Sequence, residues 1–319
     1  MFPHRESNLK QKVVITSIGS TGALNIVKAL RAQRSYEVEI IGLDASSQVA
    51  GRHLVDRFWQ VPWPQESDYV SSVAQICADC NADLLIPVME AELEVLAQSW
   101  NHDMRGRLVA SSAKTVATCN DKLLTHQFLI DHGIPTPPVY TAESVEYPAI
   151  LKPIHGTGSK GVHRVDDPDS LSYQLKGSSE PIFLQQFVTG HEYTIDTFSE
   201  FQGKFIGGVP RRRLEVKNGL ATKSVTVHDD ELLNIARKIC EKLPIRGPAN
   251  VQCIKNDCGV FVTDVNPKFG GAFLLSIEAG LNAPLFLLNL VAGDPIQYSG
   301  YVENLMMLRY WQEVFVAVE

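Results

Sequence analysis

Apolar and polar residues follow two different rhythms along this chain, and the change falls near its middle. The first third is made of short apolar runs separated by stretches of helical period. The run Val13-Val-Ile-Thr-Ser-Ile18 predicts a buried strand over 13–18, Gly19-Ser20-Thr21-Gly22 a turn, and the residues that follow a helix over 23–32. A second strand is predicted over 38–43, ending at Asp44, and another over 84–88. Strands alternating with helices predict a parallel sheet covered on both faces. Beyond residue 189 the apolar runs follow one another with turn residues between them. This pattern predicts antiparallel strands over 193–201, 204–213, 222–227, 249–254 and 260–265, with helices over 230–243 and 274–291 covering the sheet. A closing strand is expected over 306–318. Between these regions, an amphipathic helix opening at Lys122 would place Leu123, Leu124, Phe128 and Leu129 on one face. It leads into a small α+β unit.

Composition narrows the class. A length of 319 residues predicts about two domains with material for a buried core. With 45% hydrophobic and 20% charged residues, the chain is globular rather than disordered. The formal charge of −7, with Arg211-Arg212-Arg213 as the one basic cluster, argues against nucleic acid as a partner. The N-terminal dozen residues lack the apolar core of a signal peptide, and the apolar region over 272–292 is broken by Glu278, Asn282, Pro284 and Asn289. A cytoplasmic protein outside the membrane is expected. Of six cysteines, Cys77 and Cys80 have C-x-x-C spacing, but they fall within a predicted helix. Reduced structural cysteines are favoured over a zinc site.

Chemistry enters at Phe261-Val-Thr-Asp264-Val-Asn266-Pro267-Lys268. Asp264 and Asn266 lie two apart on a strand, so both side chains leave the same face. A carboxylate beside an amide oxygen suits a hard cation such as Mg²⁺, which takes one or two protein oxygens and leaves the rest to phosphates and water. An ordinary solvated strand end is the competing reading. Upstream, Ala149-Ile-Leu-Lys152-Pro153 is a short strand delivering a lysine. It runs into His155-Gly156-Thr157-Gly158-Ser159-Lys160-Gly161-Val162, whose glycines let backbone N–H groups converge on phosphate oxygens. Lys122 follows Asn120-Asp121. The segment from Phe183 to Asp196, containing Gln185, Gln186, Phe187, Val188 and Glu192, reads as strand, tight turn, strand.

In this order these segments resemble the ATP-grasp superfamily, and most closely the short proteins similar to one synthetase half of the carbamoyl-phosphate synthetase large subunit. The resemblance covers nearly the whole chain. It implies a Rossmann-like pre-ATP-grasp domain over 1–112, followed by an ATP-grasp fold whose two α+β subdomains, 113–188 and 189–319, clamp a nucleotide. By that resemblance, Lys122 and Lys152 hold the phosphates of ATP. His155, Gly156, Gly158, Ser159, Lys160, Gly161 and Val162 form the loop closing over them. Gln185, Gln186, Phe187 and Val188 form the hinge at the adenine edge, and Glu192 meets the ribose. Gln252, Asp264 and Asn266 are then the Mg²⁺ trio.

Three positions depart from the commoner pattern: Gln185 stands where Glu is usual, Asp264 where Glu is usual, and Lys268 where Arg is usual. Lysine offers a point charge in place of a planar fork.

The resemblance further implies an ATP- and Mg²⁺-dependent ligase joining a small-molecule carboxylate to an amine through an acyl phosphate, with ATP converted to ADP and phosphate. An ATP-grasp kinase and a nucleotide-binding regulatory protein are the alternatives, and a homodimer is compatible with the pattern. On a strand, Arg211 and Arg213 share one face and Arg212 takes the other. Arg213 with Lys223, and Lys268, are the catalytic candidates. Ser20, Thr21, Glu90 and Arg211 are the substrate-side candidates, and an exposed basic edge strand is the competing reading for the arginines. The Gly19–Gly22 turn, with Asp44 some twenty residues on, also approaches a dinucleotide fingerprint, although it lacks the third glycine.

Overall fold

Val13, Val14 and Ile15 have no exposed surface, which requires a strand covered on both faces. They form β1 (Gln11–Ile15), the centre of a five-stranded parallel sheet. In the computed structural model, which describes residues 10–156, 158, 160–177 and 181–317, β1 is followed by α1 (Thr21–Ala32), β2 (Val38–Asp44), β3 (Arg57–Gln60), α2 (Tyr69–Cys80), β4 (Leu84–Ile86), α3 (Glu90–Ser99) and β5 (Arg107–Leu108). The strand order is β3-β2-β1-β4-β5, and every neighbouring pair is parallel. The first strand ends at Ile15 rather than at residue 18, because Thr16 donates its hydroxyl to Glu92 and Ser17 turns to a positive φ of 46°. The strand expected over 84–88 stops at Ile86, since Pro87 has no N–H for the ladder.

Two helices, α4 (Ala113–Asn120) and α5 (Lys122–Asp131), lead to a second, antiparallel sheet. Its elements are β6 (Val139–Tyr140), β7 (Ala149–Pro153), β8 (His163–Val165), α6 (Pro168–Gly177) and β9 (Ile182–Gln186), with strand order β6-β9-β7-β8. Asp121 caps α5 by accepting from the backbone N–H groups of Leu123 and Leu124. The apolar face of α5 differs from the expected one. Thr125 and Leu129 are buried while Leu124 is 51% exposed, because Thr125 turns inward to donate to the Thr118 carbonyl of α4.

The third sheet has six strands in the order β14-β13-β10-β11-β12-β15, all antiparallel. It comprises β10 (His191–Ser199), β11 (Phe205–Lys217), β12 (Leu220–Thr226), α7 (Asp230–Lys242), β13 (Gly247–Asn256), β14 (Gly259–Asn266), α8 (Leu274–Glu278), α9 (Ala283–Ala292) and β15 (Met306–Leu308). The helix expected over 274–291 is broken in two. Gly280 takes φ +124° in close packing against the Gly300 carbonyl, and Pro284 starts a new helix behind the Asn282 cap. The closing strand is Met306–Leu308 alone, and residues 309–317 continue without regular structure.

One hydrophobic core unites the first and third sheets. Ile15, Ile26 and Ile86 pack with Phe198, Phe269, Phe273 and Phe286. Gly22 allows that approach: a Cβ there would lie 2.8 Å from Val88 and 3.6 Å from the Phe269 carbonyl. The four-stranded sheet has a separate small core around Ala149, Leu151, Leu171 and Leu184.

Candidate active site

β13 and β14 bring together the polar face that the spacing of two promised. Their register sets Gln252 opposite Asp264 and Asn250 opposite Asn266. Cross-strand partners share a face, so these four side chains converge, while Val251 and Val265 between them are fully buried on the other side. Asn266 Nδ2 donates to Asp264 Oδ2 at 3.0 Å and to Asn250 Oδ1 at 3.3 Å, which turns the Asn266 oxygen the other way. Gln252 Oε1 accepts from Arg213 Nη1 at 3.2 Å. Asn250 belongs to this face although Gln252, Asp264 and Asn266 alone were expected. Its signal was its place two residues before Gln252. The donor set is oxygen-only with a single carboxylate, and among the described residues no group of three His, Cys, Asp or Glu could hold a metal. Such a face fits Mg²⁺ when phosphate oxygens complete the shell.

This face floors a cavity of about 830 Å³ lined by strands of the second and third sheets and by the starts of α1 and α3. β7 supplies Lys152, which is buried, with Nζ 3.4 Å from the Thr263 carbonyl. Burial pulls its pKa down to about 8, an effect that Asp264 opposes and Lys122 reinforces. Lys122 opens α5, and its Nζ donates to the Gly156 carbonyl at 2.8 Å, so both lysines reach the same end of the cavity.

Gly156, Gly158, Lys160 and Val162 line the cavity; Ser159 lies outside the described residues. Gly161 stands behind the wall, with φ +73° and room for no Cβ against Pro153. His155 turns away, its Nδ1 3.3 Å from the Asn120 carbonyl and its Nε2 3.9 Å from Asp121, so it does not join the expected loop contacts. Gly158 rests against the β11–β12 turn, where a Cβ on Gly219 would come within 2.6 Å of its backbone.

Gln185, Gln186, Phe187 and Val188 all reach the wall. Gln185 is buried, and its Nε2 donates to the Pro137 carbonyl at 3.0 Å. Glu192 begins β10, half-exposed, with a carboxylate oxygen 3.5 Å from Arg213 Nη1. Arg213 also donates to the Gly219 carbonyl at 2.9 Å; burial lowers its pKa, and Glu192 and Asp264 oppose that.

The alternation expected of the arginines is seen. Arg211 and Arg213 line the cavity, and Arg212 bonds His191 on the other side. Arg211 is 4% exposed and already paired: its Nε donates to Asp196 Oδ2 at 2.8 Å and its Nη2 to Oδ1 at 3.3 Å. Ser276 donates to the same carboxylate at 2.6 Å.

Lys223 and Ser20 also lie elsewhere. Ser224, not Lys223, stands opposite Arg213, and Lys223 Nζ meets Glu215 at 2.8 Å on the outer surface. Ser20 is the cap of α1, accepting from Ala23 N–H, while its neighbour Thr21 reaches the cavity.

The first sheet contributes Glu90, at the start of α3. Its carboxylate lies 3.0 Å from Lys268 Nζ, which follows β14. Glu92 is instead internal. It accepts from Thr16 at 2.6 Å and from Met89 N–H at 3.2 Å, and burial raises its pKa. The turn that suggested a dinucleotide is filled by the chain itself, since Asp44 accepts from Gly19 N–H at 2.9 Å and Val49 packs over it.

Residues 119–272 match the ATP-grasp domain family, and residues 13–105 match the family described as PylC-like, N-terminal domain. The chain carries an ATP-grasp domain. It is 24% identical over 270 residues to the carbamoyl phosphate synthase large chain of Thermomicrobium roseum, covering 76% of this chain and 25% of that one. The protein therefore spans about a quarter of that relative's length. Among solved structures, the biotin carboxylase domain of Hydrogenobacter thermophilus 2-oxoglutarate carboxylase, in complex with MgADP, ADP and bicarbonate, superposes with a TM-score of 0.74 at 11% identity, covering 93% and 73% of the two chains. An L-amino acid ligase from Bacillus licheniformis superposes with a TM-score of 0.68 at 19% identity, covering 88% and 74%. At these identities the structural likeness is one of fold: a parallel-sheet N-terminal region followed by the ATP-grasp fold. Among the described residues no helix is long and apolar enough to cross a membrane.

Proposed function

We propose that the protein is an ATP- and Mg²⁺-dependent ligase that joins a carboxylate to an amine through an acyl phosphate, releasing ADP and phosphate. The observation that carries this reading is the convergence of Lys122, Lys152 and the glycine loop with the Gln252–Asp264–Asn266 face in one cavity. In this reading Lys122 and Lys152 bind the phosphates. A Lys152 held near pKa 8 by burial regains its full charge when an anion arrives beside it. The hinge over 185–188 takes the base, and Glu192 the ribose. Gln252, Asp264 and Asn266 would hold Mg²⁺, which offsets charge on the transferring phosphoryl group.

A substrate carboxylate oxygen attacks the γ-phosphorus as its bond to the ADP oxygen breaks. The amine then attacks the acyl carbon, and phosphate leaves with that carboxylate oxygen. Arg213 faces the same end and offers its guanidinium to the developing negative charge. The loop resting on the Gly219 turn excludes water, which would otherwise hydrolyse the acyl phosphate. The structural and sequence relatives support this reading, since both an L-amino acid ligase and carbamoyl phosphate synthase are among them.

Isotope tracing tests the proposal. With ¹⁸O in the acid, a substrate pair that turns over should move one labelled oxygen into inorganic phosphate. Label retained in a stable phosphorylated product would replace the ligase with a kinase.

A further inference from the structure

One part of the cavity wall is an ion pair between the start of α3 and the segment that follows β14. Glu90 and Lys268 are 19% and 13% exposed, with oxygen and nitrogen 3.0 Å apart, and both line the cavity. The backbone around Lys268 is tied to its neighbours. Lys268 N–H donates to the Asn266 carbonyl, and the Lys268 carbonyl accepts from Asn250 Nδ2. The Gly271 carbonyl just beyond takes two donors, Asn25 Nδ2 at 2.9 Å and Arg309 Nη2 at 2.7 Å.

The other carboxylates of the lining have different partners. Glu192 faces Arg213, and Asp264 is bonded within the amide face. Among the described lining residues, Glu90 is thus the carboxylate placed to receive a substrate cation, and Lys268 is the cation it would release.

From this arrangement we infer that the carboxylate substrate is a zwitterion of the amino-acid class, whose ammonium replaces Lys268 on Glu90 while the freed Lys268 pairs with its carboxylate. This deepens the ligase reading and rests on it. The argument is one of charge balance. A singly charged acid entering a half-buried neutral pair leaves Glu90 facing no cation once Lys268 turns to it, and a simple amine leaves Lys268 unpaired. Stranding one member of a buried pair is what makes such a site selective. A zwitterion exchanges partners and strands neither. Lys268 is two residues beyond Asn266, so the carboxylate it receives lies beside the Mg²⁺ face, where it must be phosphorylated.

The test measures ADP release and calorimetric binding with MgATP or a non-hydrolysable analogue. Native protein is offered alanine beside propionate, leucine beside 4-methylpentanoate, and phenylalanine beside 3-phenylpropionate, and then the remaining proteinogenic amino acids. An α-amino acid should bind at least roughly tenfold more tightly than its deaminated partner, the size of one charge-assisted contact. Glu90→Gln, nearly isosteric, should raise KM for the amino acid by roughly tenfold to a hundredfold and lower it for the deaminated acid, which no longer strands a charge at this position. Lys268→Met should weaken both acids.

Deaminated acids that bind and turn over as well as amino acids would overturn the zwitterion while keeping the ligase. The same holds if Glu90→Gln keeps its preference for amino acids. Amino-acid binding that depends on Glu90, but with label retained in a phosphorylated amino acid, would keep the zwitterion site and remove the ligase. No α-amino acid binding in the presence of nucleotide overturns the inference outright.

Discussion

Lys152 sets function against stability, and its removal should make the nucleotide-free protein more stable. Its amine is buried beside Phe183, with one long contact to the Thr263 carbonyl and Asp264 as the opposing charge. Folding moves its pKa from 10.5 down to about 8. Each unit corresponds to 1.36 kcal/mol, so keeping Lys152 protonated at neutral pH costs about 3 kcal/mol. The sign follows from proton counts. Between pH 8 and 10.5 the unfolded chain holds a proton that folded Lys152 has lost, so this residue's contribution to stability rises with pH across that window. It is opposed by the thiols of Cys77, Cys119, Cys240 and Cys253, which burial keeps protonated while those of the unfolded chain ionise.

Lys152→Met fills a similar volume without the charge. At pH 7 urea unfolding should shift towards higher stability by up to about 3 kcal/mol, and this difference from the native protein should shrink between pH 8 and 10.5. MgATP affinity should fall by roughly tenfold to a hundredfold, from the loss of a charge-assisted phosphate contact worth about 1.5–3 kcal/mol, while adenosine binding is unchanged. Near pH 8 the native protein should take up protons on binding MgATP, read by calorimetry in buffers of different ionisation enthalpy. A variant less stable than the native chain at pH 7, with MgATP affinity intact, would refute both halves of the argument.

Asp264→Asn removes the one carboxylate of the amide face. It should abolish ATP-dependent turnover while leaving the thermal midpoint within a few degrees of native; full activity would remove the metal role. Asp196→Ala strands Arg211 in the core, so chemical denaturation should show a loss of about 3–5 kcal/mol, and a loss below about 1 kcal/mol would mean the pair is not structurally important. Lys223→Ala should leave turnover unchanged and stability within about 0.5 kcal/mol, because its amine meets Glu215 at the surface. A large drop in kcat would return it to the site.

Local periodicity made much of this protein legible before its structure. Asp264 and Asn266 share a face because strands alternate, and the same rule aims Arg211 and Arg213 one way and Arg212 the other. The parallel sheet was readable because apolar runs such as Val13–Ile15 leave no polar face to solvent. These properties depend on near neighbours, which the sequence specifies directly. What only the tertiary structure decided depends on side chains far apart in the chain. Asn250 joins the amide face only through the β13–β14 register. Lys223 leaves the site because register places Ser224 opposite Arg213. His155 and Ser20 satisfy nearby backbone instead of the cavity, a choice among hydrogen-bond partners that spacing does not encode. Gly280 breaks an apolar stretch that has helical length because its packing against Gly300 demands a positive φ. The Glu90–Lys268 pair exists because the aromatic core of Phe269 and Phe273 draws the first sheet onto the third. Burial then gave Lys152 its depressed pKa, a property of the assembled cavity that no local pattern contains.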